Sequence, residues 1–323
     1  MTVQLLSLND VKQSINMLQA VEAMERAFIQ LAENHVKLPL RTGMTIDEEQ
    51  ALTLTMPAYL AADKALGLKV VSIFPNNSLR NIPSITGFIM LLDAQTGEPK
   101  ALMDAGYLTA LRTGAVSGLA TQYFAREDAS HVAIVGSGVQ AETQLEAVAS
   151  VRDITRVSVW SRDLQKAQKF ADKFTDRYEV KAYESIPLAV QEADIICTAT
   201  GSNEPLIHLK DLQEYVHINA IGSHTANMKE IDNEVLGKAM VIADQLDAVL
   251  AESGEIMSAI AQQQLQPESI VELGTWLLHK NAEDKNRLTV FKSVGLSIQD
   301  VSVASVVYQN AIKKNLGTAF ALS

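Results

Sequence analysis

The chain has 323 residues, enough for about two domains of ~150 residues each. Hydrophobic residues make up 47% and charged residues 20%, which suits a packed core, and 27 basic against 38 acidic residues give a net charge of −11 that argues against nucleic acid or an anionic membrane as a partner. One cysteine, Cys197, excludes a disulfide framework within the chain.

The opening "MTVQLLSLNDVKQ" has no basic start and no long apolar run. No secretory signal is expected, no apolar stretch reaches the ~18 residues of a membrane span, and a cytoplasmic location follows. Ser7 and Asp10 fit a capping box ahead of a first helix. Val21, Met24, Phe28 and Leu31 recur at helical spacing and predict a second helix over 18–35. Then the texture changes. "ALTLTMPAYL", "LGLKVVSIFP" and "SITGFIMLLDAQTGEPKALMD" read as strands, with a turn at Thr96-Gly97, and "YLTALRTGAVSGLATQYFA" reads as a helix.

From Ser130 the pattern alternates. "HVAIVG", "RVSVWS", "YEVKAY", "DIICTAT", "VHINAIG" and "MVIAD" read as strands, with helices over 141–150, 164–174, 186–192 and 210–213 between them. Alternation at this spacing predicts a parallel sheet covered on both faces. A long helical region over 247–265, the strand "RLTVFKSVG" and a last helix over 301–315 follow. The last strand and helix are free to leave this domain and fold back onto the first.

"HVAIVGSGVQA" holds the one phosphate-binding signal. Gly136, Gly138 and Ala141 match G-x-G-x-x-[GA] between a strand and a helix. Gly136 permits the tight turn, Gly138 lets a pyrophosphate approach the backbone, and Ala141 lets helix and strand pack closely; the helix N-terminus then faces the phosphates. The next strand ends "VWSRD", with Ser161 and Arg162 where an NAD-preferring site usually carries an acid, and Asp163 slightly late. Arg162 is able to pair with a 2′-phosphate that a carboxylate would repel, which favours NADP(H); an exposed cation at a helix start is the plainer reading.

Three basic residues stand out in the first domain: Arg41 in a loop, Lys69 in an apolar strand and Arg112 in an apolar helix. A charge in such a run either snorkels to water or is paired inside a site. Two arginines suit a carboxylate, and a desolvated lysine handles protons. His224, in "INAIGSHTA", follows a sheet strand, beyond whose end ligands bind. No cluster has zinc-ligand spacing and no G-x-S-x-G elbow is present, so no metal is expected. Cys197 reads as a small packing residue.

"MPAYL", "GLKVV", "LTALRTGAVSG", "VGSGVQA", "VWSR", "TATGS", "INAIGS", "EID" and "FKSVG" followed by "IQD" together resemble the ornithine cyclodeaminase/mu-crystallin family, in the family's order and over nearly the whole chain. The resemblance implies an α/β fold: a Rossmann-type doubly wound parallel sheet over 116–295, plus an α+β substrate-binding and dimerisation domain from 1–115 with 296–323. It implies a homodimer. It places Arg41, Lys69 and Arg112 on the substrate's α-carboxylate and α-nitrogen, with Ser84 a further substrate contact. It places Thr113, Gly136, Ser137, Gly138, Val139, Gln140, Ser161, Arg162, Thr198, Ala199, Thr200, Gly222 and Ser293 around the cofactor, and Val294 and Gly295 against nicotinamide and substrate.

The departures from the family's cyclodeaminases are informative. His224 stands where they carry an Asp that acts as a base, Leu54 where they tend to carry a Glu, and Ser161 with Arg162 where an NAD-binding acid is usual. The leading expectation is reduction of a cyclic ketimine, Δ1-pyrroline-2-carboxylate or Δ1-piperideine-2-carboxylate, to L-proline or L-pipecolate. NADPH is the expected cofactor, NADH being possible, and Lys69 and His224 are the expected catalytic residues. The alternatives are an alanine or other amino-acid dehydrogenase, an ornithine cyclodeaminase, and a non-catalytic binding protein that keeps the dinucleotide.

Overall fold

Ser7 and Asp10 cap the first helix, Leu8–Ser14, reciprocally: the Asp10 amide donates to Ser7 Oγ at 3.3 Å and the Ser7 amide to Asp10 Oδ2 at 2.9 Å. Asn16 and Gln19 repeat the device for the second helix, Met17–Ala32. That helix stops short of the expected residue 35 because Asn34 takes a left-handed conformation (φ 59°) and Val36 enters a strand. The computed structural model describes residues 1–322, the side chain of Ser78 apart, and divides into two units: Met1–Arg112 with the chain from Leu296 onward, and Thr113–Gly295.

The first unit is built on a mixed eight-stranded sheet. Its order is Thr318–Ala321, Thr2–Leu6, Pro99–Asp104, Ile85–Asp93, Ala65–Ile73, Ala51–Leu60 and Val36–Lys37, with Thr42–Ile46 also pairing to Ala51–Leu60. In Ala65–Ile73 the two-residue period turns Ala65, Gly67 and Lys69 to one buried face. The last helix, Ser297–Lys313, packs there: a Cβ on Gly67 would lie 3.4 Å from Val301 of that helix, and 2.6 Å from the Met90 carbonyl oxygen of the neighbouring strand. Lys69 is therefore delivered into the interior by the same alternation that buries its apolar neighbours.

The second unit is a parallel eight-stranded sheet. Its order is Glu179–Tyr183, Arg156–Trp160, His131–Val135, Ile195–Thr198, His217–Ala220, Thr289–Lys292, Met240–Ala243 and Val271–Glu272. The winding reverses between His131–Val135 and Ile195–Thr198, and the crevice beyond the carboxyl ends of those strands is where open α/β sheets bind ligands.

Two expectations are corrected, and one open point is decided. The late strand stays in this unit: Thr289–Lys292 inserts between His217–Ala220 and Met240–Ala243, and the last helix with strand Thr318–Ala321 joins the first unit. All four of its residues are buried, as a strand in the middle of a covered parallel sheet requires. The helix expected over 210–213 is a single 3-10 turn, Leu209–Asp211. The helix expected over 247–265 is two, Leu246–Glu252 and Gly254–Ala261, because Ser253 caps the second by accepting from the Ile256 amide. Among the described residues no helix is long and apolar enough to cross a membrane.

Candidate functional site

The glycine turn follows a strand that is buried throughout, His131–Val135. Gly136 takes φ 127°, donates its amide to the Trp160 carbonyl at 2.8 Å, and has the Ala199 carbonyl oxygen 2.5 Å from where a Cβ would stand. Only glycine fits such a place. Gly138 is different. It is the N-cap of helix Val139–Val151, has no side-chain cap, and a Cβ there would meet nothing within 4 Å. The turn thus opens onto empty space before an uncapped helix N-terminus, which fits a pyrophosphate.

Beside it lies a cleft of about 270 Å³, walled by Gly136, Ser137, Ser161, Arg162, Ala199 and Thr200, with Gly201, Ser202 and the apolar Trp160 and Leu206. Ser137 donates a hydrogen bond to Ser161 at 3.0 Å. Asp163, the late acid, is not at the cleft edge as a ribose partner: it caps helix Leu164–Asp172 by accepting from the Gln165 amide at 2.9 Å. Arg162 stands exposed, with no ion-pair partner among the described residues.

The other residues expected around the cofactor do not wall this cleft. Val139 is exposed on the first turn of its helix, and Gln140 beside it has a buried Oε1 that meets no donor. The Thr113 carbonyl accepts from Gln144 at 3.2 Å. Thr198, Gly222 and Ser293 are held by buried acids. Thr198 Oγ1 and the Gly222 amide both donate to Glu230, each at 2.8 Å. Asp244 accepts from Ser293 Oγ at 2.7 Å and from the Val294 and Gly295 amides at 3.0 Å each. Burial pushes the Asp244 carboxyl up from its ordinary range, while these donors pull it back. His224 is exposed, its Nδ1 turned back to the Gly222 carbonyl at 3.0 Å.

The first unit brings Lys69 and Arg112 together. Lys69 Nζ lies 2.7 Å from Asp300 Oδ2, and Arg112 Nε donates to Asp300 Oδ1 at 3.0 Å. Arg112 Nη1 donates to Gln299 Oε1 at 2.7 Å. Lys69 is 2% exposed, Arg112 8% and Asp300 0%, so one carboxylate serves two cations out of water. Burial brings Lys69 down to about 8 against the pull of Asp300, and the charges of Arg112 and Arg41 add to the lowering. The cluster carries surplus positive charge, and the buried Gln299 Nε2 has no hydrogen-bond partner. Both features suit a bound anion. Ser84 is half-buried just before Ile85–Asp93, and its carbonyl accepts from the Phe74 amide at 2.7 Å. Leu54, in the neighbouring strand, pairs with Val71, while Met56 stands opposite Lys69.

Sequence reasoning missed Asp300, Gln299, Asp244, Glu230, Glu255 and Lys292, all fully buried. A signal existed. "IQD", "MVIAD" and "TVFK" each set a charge against an apolar run, the criterion that singled out Lys69.

A doubly wound sheet with a glycine turn at its reversal, a cleft beside that turn and a separate buried cation cluster define a Rossmann-type dinucleotide-binding enzyme. The chain belongs to the ornithine cyclodeaminase/mu-crystallin family, whose model matches residues 1–315. It is 36% identical over 318 residues to a Δ1-pyrroline-2-carboxylate reductase of Bacillus cereus, covering 97% of this chain and 98% of that one. The structure of Thermococcus litoralis Δ1-pyrroline-2-carboxylate reductase in complex with NADH and L-proline matches with a TM-score of 0.93 and 37% identity, over 98% of this chain and 99% of that one. An archaeal alanine dehydrogenase dimer with bound NAD matches over 100% of both chains, with a TM-score of 0.93 and 33% identity. The relatives are reductases and dehydrogenases, and the chain is an oxidoreductase of this family.

Proposed function

We propose that the protein reduces the C=N bond of a cyclic 2-imino acid, Δ1-pyrroline-2-carboxylate or its six-membered homologue Δ1-piperideine-2-carboxylate, to L-proline or L-pipecolate. The observation that carries this is the buried Lys69–Asp300–Arg112 cluster, with its surplus positive charge. The reductases named above support it. Reduced nicotinamide, when bound, supplies the hydride.

The chain's own residues do the rest. Arg112, with its edge fixed on Asp300 and Gln299, and Arg41 hold the substrate's carboxylate and so orient its ring, gaining rate through position. Lys69, brought down to about 8, is protonated at neutral pH and gives up its proton readily. It protonates or orients the ring nitrogen. His224 is the second proton donor in this reading, standing just beyond the carboxyl end of strand His217–Ala220. Ser84, Val294 and Gly295 complete the substrate's surroundings.

NADPH is the favoured cofactor, because Arg162 stands at the cleft and Asp163 is engaged as a cap. Thr113, Gly138, Val139, Gln140, Thr198, Gly222 and Ser293 surround it along with the residues that wall the cleft. Residues 1–115 with 296–323 form the substrate and dimerisation domain of a cytoplasmic homodimer.

The test mixes purified protein and NADPH or NADH with Δ1-pyrroline-2-carboxylate, Δ1-piperideine-2-carboxylate, or pyruvate plus ammonia, following the nicotinamide absorbance. Ornithine is assayed by ammonia release. Oxidation with the cyclic imines alone is expected. Turnover of pyruvate plus ammonia alone makes the protein an alanine dehydrogenase, ammonia from ornithine makes it a cyclodeaminase, and silence throughout makes it a binding protein.

A further inference from the structure

Glu230, of the "EID" stretch, is fully buried in the second unit, yet its carboxylate meets no cation directly. It is filled by hydrogen-bond donors instead. Oε1 accepts from the Thr200 amide at 2.7 Å; Oε2 accepts from Thr198 Oγ1 at 2.8 Å and from the Gly222 and Ser223 amides at 2.8 and 3.2 Å. Three of these donors are backbone amides, which cannot accept; burial and the nearby Glu255 carboxylate push the Glu230 carboxyl up, while Lys292 and the Thr200 and Thr198 donors pull it back. The donors come from two separate segments, at and just beyond the ends of strands Ile195–Thr198 and His217–Ala220. The first includes Ala199, Thr200, Gly201 and Ser202 of the cleft wall; the second leads into His224.

The backbone of Glu230 is tied down as firmly. Its carbonyl accepts from the Leu206 and Ile207 amides at 2.8 and 3.0 Å, and Leu206 also walls the cleft. Its amide donates to Glu255 Oε2 at 2.7 Å. Glu255 pairs with Lys292 at 2.7 Å, and Lys292 Nζ donates to the Ser223 carbonyl at 2.5 Å. Gly222 records how tightly the segments are drawn in. A Cβ there would lie 2.3 Å from the Thr200 carbonyl oxygen and 2.4 Å from Glu230 Oε1.

We propose that Glu230 is a positioning residue for dinucleotide binding: its carboxylate locks the segment 198–202, of which 199–202 wall the cleft, to the segment 222–224 and fixes the backbone faces that the cofactor meets. The inference rests on the dinucleotide reading above. Glu230→Gln is the direct test. An amide replaces one acceptor oxygen with a donor, so at least one of the four contacts becomes donor against donor.

Two quantities are read on protein whose circular dichroism is native: the Kd of NADH or NADPH, from quenching of tryptophan fluorescence, and hydrogen exchange at the amides of residues 200, 222 and 223. In E230Q the Kd is expected to rise about tenfold, with faster exchange at those three amides and unchanged exchange in strand His131–Val135. Should E230Q not fold, Thr198→Val carries the test, since it removes one donor and leaves the carboxylate in place. It is expected to weaken binding about threefold, with Thr198→Ser restoring it. A folded E230Q, or T198V in its stead, with Kd within about twofold of wild type and unchanged exchange at the three amides overturns the inference alone. A wild type that binds no dinucleotide overturns the functional reading and this inference with it.

Discussion

The Lys69 ammonium lies 2.7 Å from the Asp300 carboxylate, and the two residues come from opposite ends of the chain to meet almost wholly out of water. Asp300 accepts from Arg112 with its other oxygen. It stands in the first turn of helix Ser297–Lys313, where the helix dipole favours a negative charge. Removing this acid leaves two buried cations facing each other. Asp300→Asn is expected to cost about 3–5 kcal/mol of stability, the usual loss when one partner of a buried pair is deleted. Denaturant unfolding measures it, and a loss below about 1 kcal/mol would mean that water reaches the cluster freely.

Lys69 sets a pH dependence with a definite sign. Its pKa is lowered from 10.5 to about 8 in the folded protein, so between about 8 and 10.5 the unfolded chain binds more protons. This group's contribution therefore makes stability rise with pH across that window. The difference in unfolding free energy between wild type and Lys69→Met is expected to move in wild type's favour from pH 8 to pH 10, and a flat difference would place Lys69 near its ordinary value.

In the proposed reaction the same shift bears on rate. If the Lys69 ammonium donates the proton, kcat/KM falls above pH about 8. Lys69→Ala is expected to lower kcat by about 10²-fold or more and to erase that alkaline limb. A near-normal kcat would transfer the proton to His224 or to water.

In the proposed reading, cofactor choice rests with Ser161 and Arg162, at the cleft beside the glycine turn. Ser161→Asp sets a carboxylate at the cleft edge and is expected to shift the kcat/KM ratio of NADPH to NADH by about tenfold or more towards NADH, the scale of one charged hydrogen bond. An unchanged ratio would show that the 2′ position of the ribose lies elsewhere.

The two glycines of the turn separate folding from binding. Gly136→Ala forces a side chain onto φ 127° and against the Ala199 carbonyl, so stability is expected to fall by about 1–3 kcal/mol, with dinucleotide binding lost. Gly138→Ala meets open space and is expected to leave the melting temperature within about 2 °C of wild type while weakening the dinucleotide at least tenfold, because the methyl group occupies the phosphate's approach. Equal effects of the two changes would contradict this division.

The glycine turn and the strand–helix alternation after Ser130 were legible in the sequence because both are local. A strand repeats every two residues and a helix every 3.6, and Gly136 announces its own backbone conformation. Lys69 and Arg112 were legible for a related reason: a charge inside an apolar run has to be answered somewhere. What answers it was not legible. Asp300 lies 188 residues beyond Arg112, and no spacing rule links the two.

The same holds for strand Thr289–Lys292, whose burial is plain from its residues but whose neighbours in the sheet are not, and for Asp163, whose work as a helix cap rather than a ribose acid depends on one residue of placement. It holds also for Glu230, which joins two segments more than twenty residues apart. Local sequence determined which groups must leave water, since the cost of exposing or burying each is a property of the residue and its near neighbours. Only the tertiary structure decided which partner each one finds there, because hydrogen bonds and ion pairs are satisfied by whatever packing brings within about 3 Å, however far apart in the chain.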